Sequence, residues 1–373
     1  MRFGGWGVLA LAASLILIGL LMQSSASVAG ASAFHLRQIR WVPLAIGVAF
    51  GLWFLPYEWL LRRAYILYGL ACLGLLAVLM FGSEINGSRR WLVIGGFSLQ
   101  PSEPMKLCFI LAMARLLRFR RDWSRPRALL APALLLSVPT VLVYGEPDLG
   151  TSLLFIPTAL VMLFVAGART RHMLFILCGG FLVGVAFFAL ALQPYQKERV
   201  LSTVFRDRMT PIVRRREGYQ LEQSLRAVAN GGLTGRGYMQ GEQNRLNRLP
   251  HRHNDFIFAV VAEEFGLVGS IALLLFLAGL LLGIFSVGHR TRDPGGRLIA
   301  AGVGVTLGVQ TLLHVAVNVG LAPTTGMTLP FVSYGGTALL SAVSMVAVVA
   351  SIKRKPKLVM DGDSLREQSA RLS

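Results

Sequence analysis

The sequence predicts an all-α membrane protein with about ten transmembrane helices and a long loop between the seventh and eighth. Hydrophobic residues make up 54% of the 373 residues, charged residues only 15%, and the mean hydropathy is +0.60. A soluble domain carries roughly 25% charged residues, so this composition indicates a membrane protein. Apolar runs that approach the roughly 20 residues needed to cross a bilayer recur along most of the chain.

We predict ten spans from these runs. They lie near residues 4–23, 41–56, 64–82, 103–118, 128–144, 150–166, 173–192, 256–286, 298–317 and 337–352. Residues 1–352 are expected to form a single transmembrane domain that includes the long loop 193–254. Residues 353–373 are polar and are expected to form a disordered cytoplasmic tail.

The distribution of Lys and Arg orients the chain, because cytoplasmic loops are enriched in these residues. With a cytoplasmic N-terminus, five basic clusters fall inside: near 62–63, 118–127, 169–171, 290–297 and 353–357. The long loop is then outside, and its twelve basic and five acidic residues are compatible with this, since long loops translocate largely regardless of charge. The net charge of +19 therefore reflects topology and does not indicate nucleic-acid binding.

Three carboxylates near the start of the eighth span are the first candidates for chemistry. The stretch Leu249–Gly269, LPHRHNDFIFAVVAEEFGLVG, contains Asp255, Glu263 and Glu264. A carboxylate next to hydrocarbon is costly unless it is paired or faces water. Asp255 could cap the helix or act as a general base, with neighbouring cations favouring its charged form. His251 lies two residues before His253, which is a poor spacing for a shared metal on a helix.

Two further polar motifs flank the fourth and sixth spans. Glu103 and Lys106 in QPSEPMK are i,i+3 neighbours on one helical face. They are either a self-neutralising pair or functional charges that face a water-filled cavity. Asp148 in EPDLGT is placed to cap the following helix, and a second role in a cation or phosphate site stays open.

Other segments on the outer side carry basic, aromatic or irregular sequence. Arg89, Arg90 and Trp91 suit either a phosphate headgroup or an interfacial anchor. Residues 219–230 have helical character, and the glycine-rich GGLTGRGY that follows lacks the preceding strand of a dinucleotide site. The Pro- and Gly-rich stretch 318–337 is expected to wall a cavity, because irregular backbone at membrane depth is tolerated there.

Six of these stretches together resemble the SEDS family (shape, elongation, division and sporulation), to which RodA and FtsW belong. In chain order they are NGSRRW, QPSEPMKL, EPDLGTS, YQLEQSLRAVANGGLTGRGY, LPHRHNDFIFAVVAEEFGLVG and LPFVSYGGT. Glu146 stands where members commonly have Gln, and Asn254 where they commonly have Thr. The short N-terminus favours a RodA-like member over an FtsW-like one.

The resemblance implies a peptidoglycan glycosyltransferase of the bacterial inner (cytoplasmic) membrane. Such an enzyme polymerises lipid II into β-1,4 glycan strands on the outer face during elongation and releases undecaprenyl pyrophosphate. Its implied partners are a class B penicillin-binding protein that acts as transpeptidase, the undecaprenyl-linked glycan, membrane lipids and other elongation machinery. The essential aspartate of the family corresponds to Asp255, and the charged residues of its QPSE motif correspond to Glu103 and Lys106.

We therefore predict a catalytic group and a substrate-binding group. The catalytic residues are Asp255, as general base, with Lys106 and Glu103. The substrate-binding residues are Arg89, Arg90, Trp91, Asp148, His253 and Ser333. Positive charge at the leaving pyrophosphate would come from Lys106, Arg89, Arg90 or loop arginines.

A divalent cation is a second source for that charge. It would be Mg²⁺ or Mn²⁺, with Asp148 or Glu103 as candidate ligands; no cofactor follows from the sequence with certainty. Three other functions stay open: a lipid II flippase or transporter, an FtsW-like septal polymerase, and a scaffold that only recruits a cell-wall synthase.

Overall fold

The computed structural model describes residues 5–27, 34–85, 88–94, 97–119, 126–171 and 218–352, and most of these residues are helical. The helices are α1 (Gly5–Ala26), α2 (Phe34–Phe54), α3 (Tyr57–Arg62), α4 (Ala64–Phe81), α5 (Ser102–Arg118), α6 (Leu130–Gly145), α7 (Leu149–Val165), α8 (Tyr219–Gly231), α9 (Glu242–Arg245), α10 (Ile257–Arg290), α11 (Pro294–Asn318) and α12 (Gly336–Ile352).

Nine of the predicted spans coincide with a helix. Within the described residues, α1, α4, α10 and α11 are long and apolar enough to cross a membrane, and α6, α7 and α12 are shorter apolar helices. The predicted span 173–192, the first part of the long loop and the tail 353–373 lie outside the described residues. The count of ten spans therefore stays a prediction, while the all-helical character of the transmembrane bundle is confirmed.

A small antiparallel sheet between α4 and α5 was not predicted. It consists of β1 (Ser83–Ile85), β2 (Ser88–Ile94) and β3 (Phe97–Leu99), in the order β1-β2-β3. The sequence Asn-Gly at 86–87 is a strong hairpin signal, and the strands β1 and β2 on either side of it pair antiparallel. This sheet matters for the site because β2 carries Arg90.

The centre of the bundle is built from α5, α11 and α12. Large apolar side chains such as Phe109, Leu307 and Val346 are almost completely buried there. A hydrogen bond of 2.9 Å between the hydroxyls of Thr158 and Thr306 joins α7 to α11. In contrast, α10 exposes many leucine and phenylalanine side chains along its length, as expected for a surface that faces lipid.

Helix α10 is broken at Gly266, where φ is +66° and ψ is −160°. The break leaves main-chain groups without helical partners, and the glycine-rich loop after α8 supplies replacements. Leu267 N donates to Gly232 O at 2.9 Å, and Val268 N donates to Leu233 O at 3.1 Å. A Cβ on Gly266 would lie 2.5 Å from the carbonyl oxygen of Leu233. The loop thus completes a broken helix, which is how irregular backbone is accommodated within a bundle.

Candidate active site

The irregular residues 319–335 between α11 and α12, here called the α11–α12 segment, organise the candidate site. Two side chains of α11 hold its main chain. Gln310 Nε2 donates to Thr328 O at 2.8 Å, and His314 Nδ1 lies 2.8 Å from Met327 O. These bonds satisfy carbonyls that lack a regular secondary structure. The segment lines two small cavities, and residues 318–337 were expected to wall a cavity.

The first of these cavities, here called the ion-pair cavity, contains Glu103 and Lys106. The Lys106 ammonium lies 2.8 Å from both carboxylate oxygens of Glu103 and 3.3 Å from Gln310 Oε1. Both charged side chains are nearly inaccessible, at 7% and 3% exposure. Because the charges are paired and hydrogen-bonded, their burial is tolerable. The cavity has a volume of about 10 Å³, so it holds at most about one water molecule.

The second cavity, here called the Asp255 cavity, has a volume of about 30 Å³. That is room for about two water molecules. Its lining includes Asp255, Gln220, His314, Thr324 and Thr325. These residues, which carry carboxylate, amide, imidazole and hydroxyl groups, make a polar pocket near the C-terminal end of α11, and this pocket has room for a hydroxyl group.

Asp255 is held in place through its main chain. Its carbonyl oxygen accepts a hydrogen bond of 2.9 Å from Asn318 Nδ2, and its amide donates to His251 O at 3.0 Å. The residue precedes Phe256, which occupies the N-cap position of α10. Asp255 therefore lies one residue before the N-cap, and it is one of the residues that line the cavity.

The ion-pair cavity and the Asp255 cavity have no lining residue in common. Thr328 lines the first and Met327 lines the second, and the main chain at these two consecutive residues is here called the partition. The two predicted catalytic motifs therefore line two separate cavities. The connection between them runs through Gln310, which binds Lys106 and also Thr328.

Ser333 and His253 tie the turn before Asp255 to the α11–α12 segment. Ser333 Oγ donates to Asn254 O at 2.7 Å and accepts from Leu329 N at 2.8 Å. Tyr334 N donates to His253 O at 2.8 Å. The His253 ring stacks on Phe34 with a centroid distance of 3.7 Å. Burial, together with the neighbouring His251 and Arg252, lowers the pKa of His253 to about 4, so the ring is neutral at physiological pH.

Arg90 and Asp148 meet at the turn between α6 and α7. Asp148 caps α7, as predicted, by accepting from Thr151 N at 3.2 Å and from Thr151 Oγ1 at 3.0 Å. Arg90 Nη1 lies 3.8 Å from Asp148 Oδ1, and its guanidinium also donates to the carbonyls of Glu146 and Pro147. Arg90 thus stabilises this turn. Trp91 is half-buried on β2, whereas the side chain of Arg89 lies outside the described residues.

Glu146 is fully buried in the same turn, and its two carboxyl oxygens find no hydrogen-bond partner among the described residues. Burial is the largest cause that raises the pKa of Glu146, to about 8. The Asp148 carboxylate raises it further, and Arg90 lowers it. Glu146 is therefore protonated over most of the neutral range. In that form it resembles the glutamine that other SEDS members commonly carry at this position.

Glu263 and Glu264 are buried as well, but they serve the loop. Glu263 Oε1 accepts from Gln243 N at 2.9 Å, and Glu264 Oε1 accepts from Asn244 Nδ2 at 3.1 Å and from Ser25 Oγ. These bonds fasten the loop around α9 to α10 and α1. The two glutamates therefore have a supporting role.

Three residues of the site were missed by the sequence reasoning. Gln310, His314 and Asn318 are buried polar residues of α11, and each contacts one of the two cavities or the main chain of Asp255. Their spacing of four residues places them on one face of a helix. A polar stripe on an otherwise apolar span indicates function, so the signal was present in the sequence.

The fold and the site together define a multi-pass membrane protein with a polar pocket at one end of its bundle. The family model of the FtsW, RodA and SpoVE cell cycle proteins matches residues 6–358. The chain therefore belongs to this family, and the resemblance of the six motifs to SEDS proteins is confirmed.

Individual relatives agree with this assignment. The probable peptidoglycan glycosyltransferase FtsW of Nitrosomonas europaea is 35% identical over 367 residues, which cover 93% of this chain and 92% of that protein. The protein of the same name from Coxiella burnetii is 36% identical over 357 residues, which cover 91% and 93%.

Two solved structures are also similar. A chain from the structural study of a peptidoglycan synthase complex that coordinates polymerization and crosslinking has a TM-score of 0.80 and 33% identity, and the match covers 94% of this chain and 97% of that chain. The crystal structure of the Rod shape determining protein RodA of Thermus thermophilus has a TM-score of 0.70 and 31% identity, and the match covers 94% and 96%.

Proposed function

We propose that this protein is a peptidoglycan glycosyltransferase that polymerises lipid II into β-1,4 glycan strands. The membership of the family and the naming of its relatives as peptidoglycan glycosyltransferases support this class of reaction. The single observation that carries the assignment to a site is the position of Asp255. It is a carboxylate in a small polar cavity at the junction between the loop and the bundle.

The proposed reaction uses Asp255 as general base. The carboxylate takes the proton of the 4-hydroxyl on the acceptor GlcNAc, and the hydroxyl oxygen attacks C1 of the donor MurNAc. The bond from C1 to the pyrophosphate breaks, undecaprenyl pyrophosphate leaves, and the new link is formed with inversion. A base must lie within about 3 Å of the proton it abstracts. A cavity of about 30 Å³ suits this step because it admits a hydroxyl and leaves the sugar ring outside.

Lys106 and Glu103 remain in the proposed machinery, in the roles that their contacts allow. Lys106 is bound by Glu103 at 2.8 Å, so a pyrophosphate that reached it would compete with that carboxylate. Its other contact, Gln310, also holds the partition at Thr328. We propose that the pair fixes the partition that shapes the Asp255 cavity.

The remaining substrate-binding candidates keep their proposed place around the outer surface. Arg90 is 19% exposed, and Arg89 and Trp91 are its neighbours on β2, so these three are proposed to meet the pyrophosphate. Asp148 is proposed to act through Arg90, which it contacts. Ser333 and His253 are proposed to position the turn that carries Asp255.

A divalent cation does not fit the candidate ligands well. Asp148 is engaged by Thr151, Gln100 and Arg90, and Glu103 by Lys106. Among the described residues, no group of three or more His, Cys, Asp or Glu side chains could hold a metal. Divalent cations of this kind favour several oxygen ligands. No step of the proposed reaction is therefore assigned to Mg²⁺ or Mn²⁺.

The cellular setting follows from the same proposal. We place the protein in the bacterial cytoplasmic membrane with both termini inside, residues 1–352 as one transmembrane domain, and the Asp255 cavity facing outward. A class B penicillin-binding protein is the proposed partner, because a similar chain occurs in the study of a complex for polymerization and crosslinking. We favour a role in elongation and cell shape; septal synthesis is the alternative, which the imaging of a fluorescent fusion at midcell or along the side wall distinguishes.

A second candidate function is lipid II translocation. It is favoured by the buried charge pair and by the broken backbone near the bundle core, which are features of transporters. The position of Asp255 at one end of α10, away from the middle of the helix, favours the polymerase.

Reconstitution in liposomes that contain lipid II tests the proposal. The wild-type protein should form glycan polymer, while Asp255→Asn should lower the rate by roughly 100-fold or more, the range expected for loss of a general base. Glu242→Gln likewise replaces a carboxylate with an amide, at the exposed first residue of α9, and should retain full activity. Translocation of lipid II by the wild-type protein without polymer would instead establish the flippase.

A further inference from the structure

His314 lies in the middle of the polar stripe on α11 and is 1% exposed. Its Nδ1 atom is 2.8 Å from the carbonyl oxygen of Met327. A carbonyl oxygen only accepts hydrogen bonds, so Nδ1 must carry the proton. In the neutral ring this fixes the tautomer, and Nε2 presents a lone pair.

The Nε2 atom of His314 is buried and has no hydrogen-bond partner among the described residues. Buried polar atoms in folded proteins are nearly always paired, and each exception requires an explanation. The bond to Met327 already occupies the opposite nitrogen. The hold on the α11–α12 segment therefore accounts for Nδ1 of His314 but not for the buried acceptor Nε2.

The residues around the ring indicate a role for this nitrogen. His314 lines the Asp255 cavity together with Asp255 itself, Gln220 and Thr325. The same helix binds the main chain of Asp255 through Asn318, one turn further along. His314, which carries the unpartnered nitrogen, and Asp255 thus line the same cavity, which has room for about two water-sized groups.

We propose that His314 is a substrate-binding residue whose Nε2 accepts a hydrogen bond from a hydroxyl of the acceptor sugar and holds that sugar against Asp255. This inference rests on the proposed polymerase function. The imidazole transfers no proton in this scheme, because Asp255 remains the base. Its role is to orient the attacking sugar, which contributes to the rate by proximity.

Two substitutions separate the two nitrogens of the ring. His314→Asn places an amide near the position of Nδ1, so it can keep the bond to Met327 but has no atom at Nε2. His314→Gln places its amide near the position of Nε2, so it can offer an acceptor to the cavity but gives up the bond to Met327. A purely structural role of His314 requires Nδ1, and substrate binding requires Nε2.

The experiment measures kcat/KM for lipid II polymerisation and the thermal unfolding temperature of both variants. The proposal expects His314→Asn to unfold at the wild-type temperature with a kcat/KM reduced by about tenfold, the scale of one lost hydrogen bond. His314→Gln should unfold at a lower temperature and retain more activity than the Asn variant at a permissive temperature. His289→Asn, at the exposed end of α10, is the matched control.

Two results would overturn the inference while leaving the polymerase intact. They are full activity of His314→Asn, and equal loss of activity and of unfolding temperature in both variants. If the wild-type protein makes no polymer at all, the proposed function itself fails, and with it the assignment of a sugar hydroxyl to Nε2.

Discussion

The two cavities beside the α11–α12 segment are both lined in part by polar residues, but the polar groups are paired in one cavity and not in the same way in the other. In the ion-pair cavity, the charges of Glu103 and Lys106 neutralise each other at 2.8 Å, and little space remains. In the Asp255 cavity, the volume is about three times larger, and His314 contributes a nitrogen with no partner among the described residues.

This difference teaches that buried charge alone does not identify the reacting group. When a buried carboxylate is paired with a cation of the same protein, that cation compensates the cost of burying the charge. A polar group that lines a cavity and keeps its bonding capacity is available to a substrate. We therefore assign support to the ion-pair cavity and chemistry to the Asp255 cavity, and the predictions at Lys106, Asn318 and Asp255 test that division.

The largest effect on stability is expected when the ion pair is broken on one side. Lys106→Met leaves the Glu103 carboxylate buried and uncompensated, so the free energy of unfolding should fall by about 3–5 kcal/mol. The double variant Lys106→Met with Glu103→Leu should regain most of this loss. Thermal unfolding in detergent measures both.

The exposed pair of Arg226 and Glu222 on α8 is the matched control. These side chains are 58% and 56% exposed, and an i,i+4 surface pair contributes only about 0.3–0.5 kcal/mol, so Arg226→Met should have little effect. If Lys106→Met is as mild as Arg226→Met, the ion-pair cavity does not support the fold in the way described.

An intermediate effect is expected at Asn318, which supports the Asp255 cavity. Its amide bonds the main chain of Asp255, Ala259 and His314 at 2.8–3.0 Å. Asn318→Ala should lower the free energy of unfolding by about 1–3 kcal/mol, since it leaves buried groups unpaired. It should also lower polymerisation more than stability alone explains, because the turn that carries Asp255 loosens. Wild-type activity in a stable Asn318→Ala variant would mean that this turn is held by other contacts.

A pH-dependent effect is expected at Glu146, whose carbonyl accepts a hydrogen bond from Arg90. The folded protein has a raised pKa of about 8 at Glu146, against an ordinary value of 4.5. Protonation of Glu146 therefore favours the folded state. Its contribution to the free energy of unfolding is fully present below about pH 4.5 and is lost as pH rises through about 8.

Glu146→Gln removes this titration without removing a hydrogen bond, because the carboxyl oxygens have no partner among the described residues. The variant and the wild type should unfold at similar temperatures at pH 5. At pH 8 the variant should be the more stable of the two. A parallel decrease in both proteins between these pH values would contradict the raised pKa.

Much of the fold could be predicted from the sequence because a lipid bilayer constrains the length and the composition of the helices that cross it. The apolar runs that became α4 and α11 were placed within a few residues of their ends. The i,i+3 spacing placed Glu103 and Lys106 on one helical face and left their pairing as one of two interpretations. Asp148 was assigned correctly as the cap of α7. These features depend on local spacing and composition, which a single sequence displays directly.

The partition between the cavities was not accessible in this way. It depends on the path of the α11–α12 segment, which is set by long-range bonds from Gln310 and His314 to main-chain carbonyls. Main-chain acceptors carry no sequence signature. Ser333 and His253 act through main-chain bonds at the turn around Asp255. For the same reason, the sequence predicted that they belong to the site but not what they do there.

The most direct test of the division between the two cavities compares Asp255→Asn with the double variant of the ion pair in one assay. Lipid II binding and the single-turnover rate of glycan bond formation are measured for each purified protein. We predict that Asp255→Asn binds lipid II normally but reacts at least about 100-fold more slowly, while Lys106→Met with Glu103→Leu keeps a larger fraction of the rate. A wild-type rate in Asp255→Asn would contradict the account.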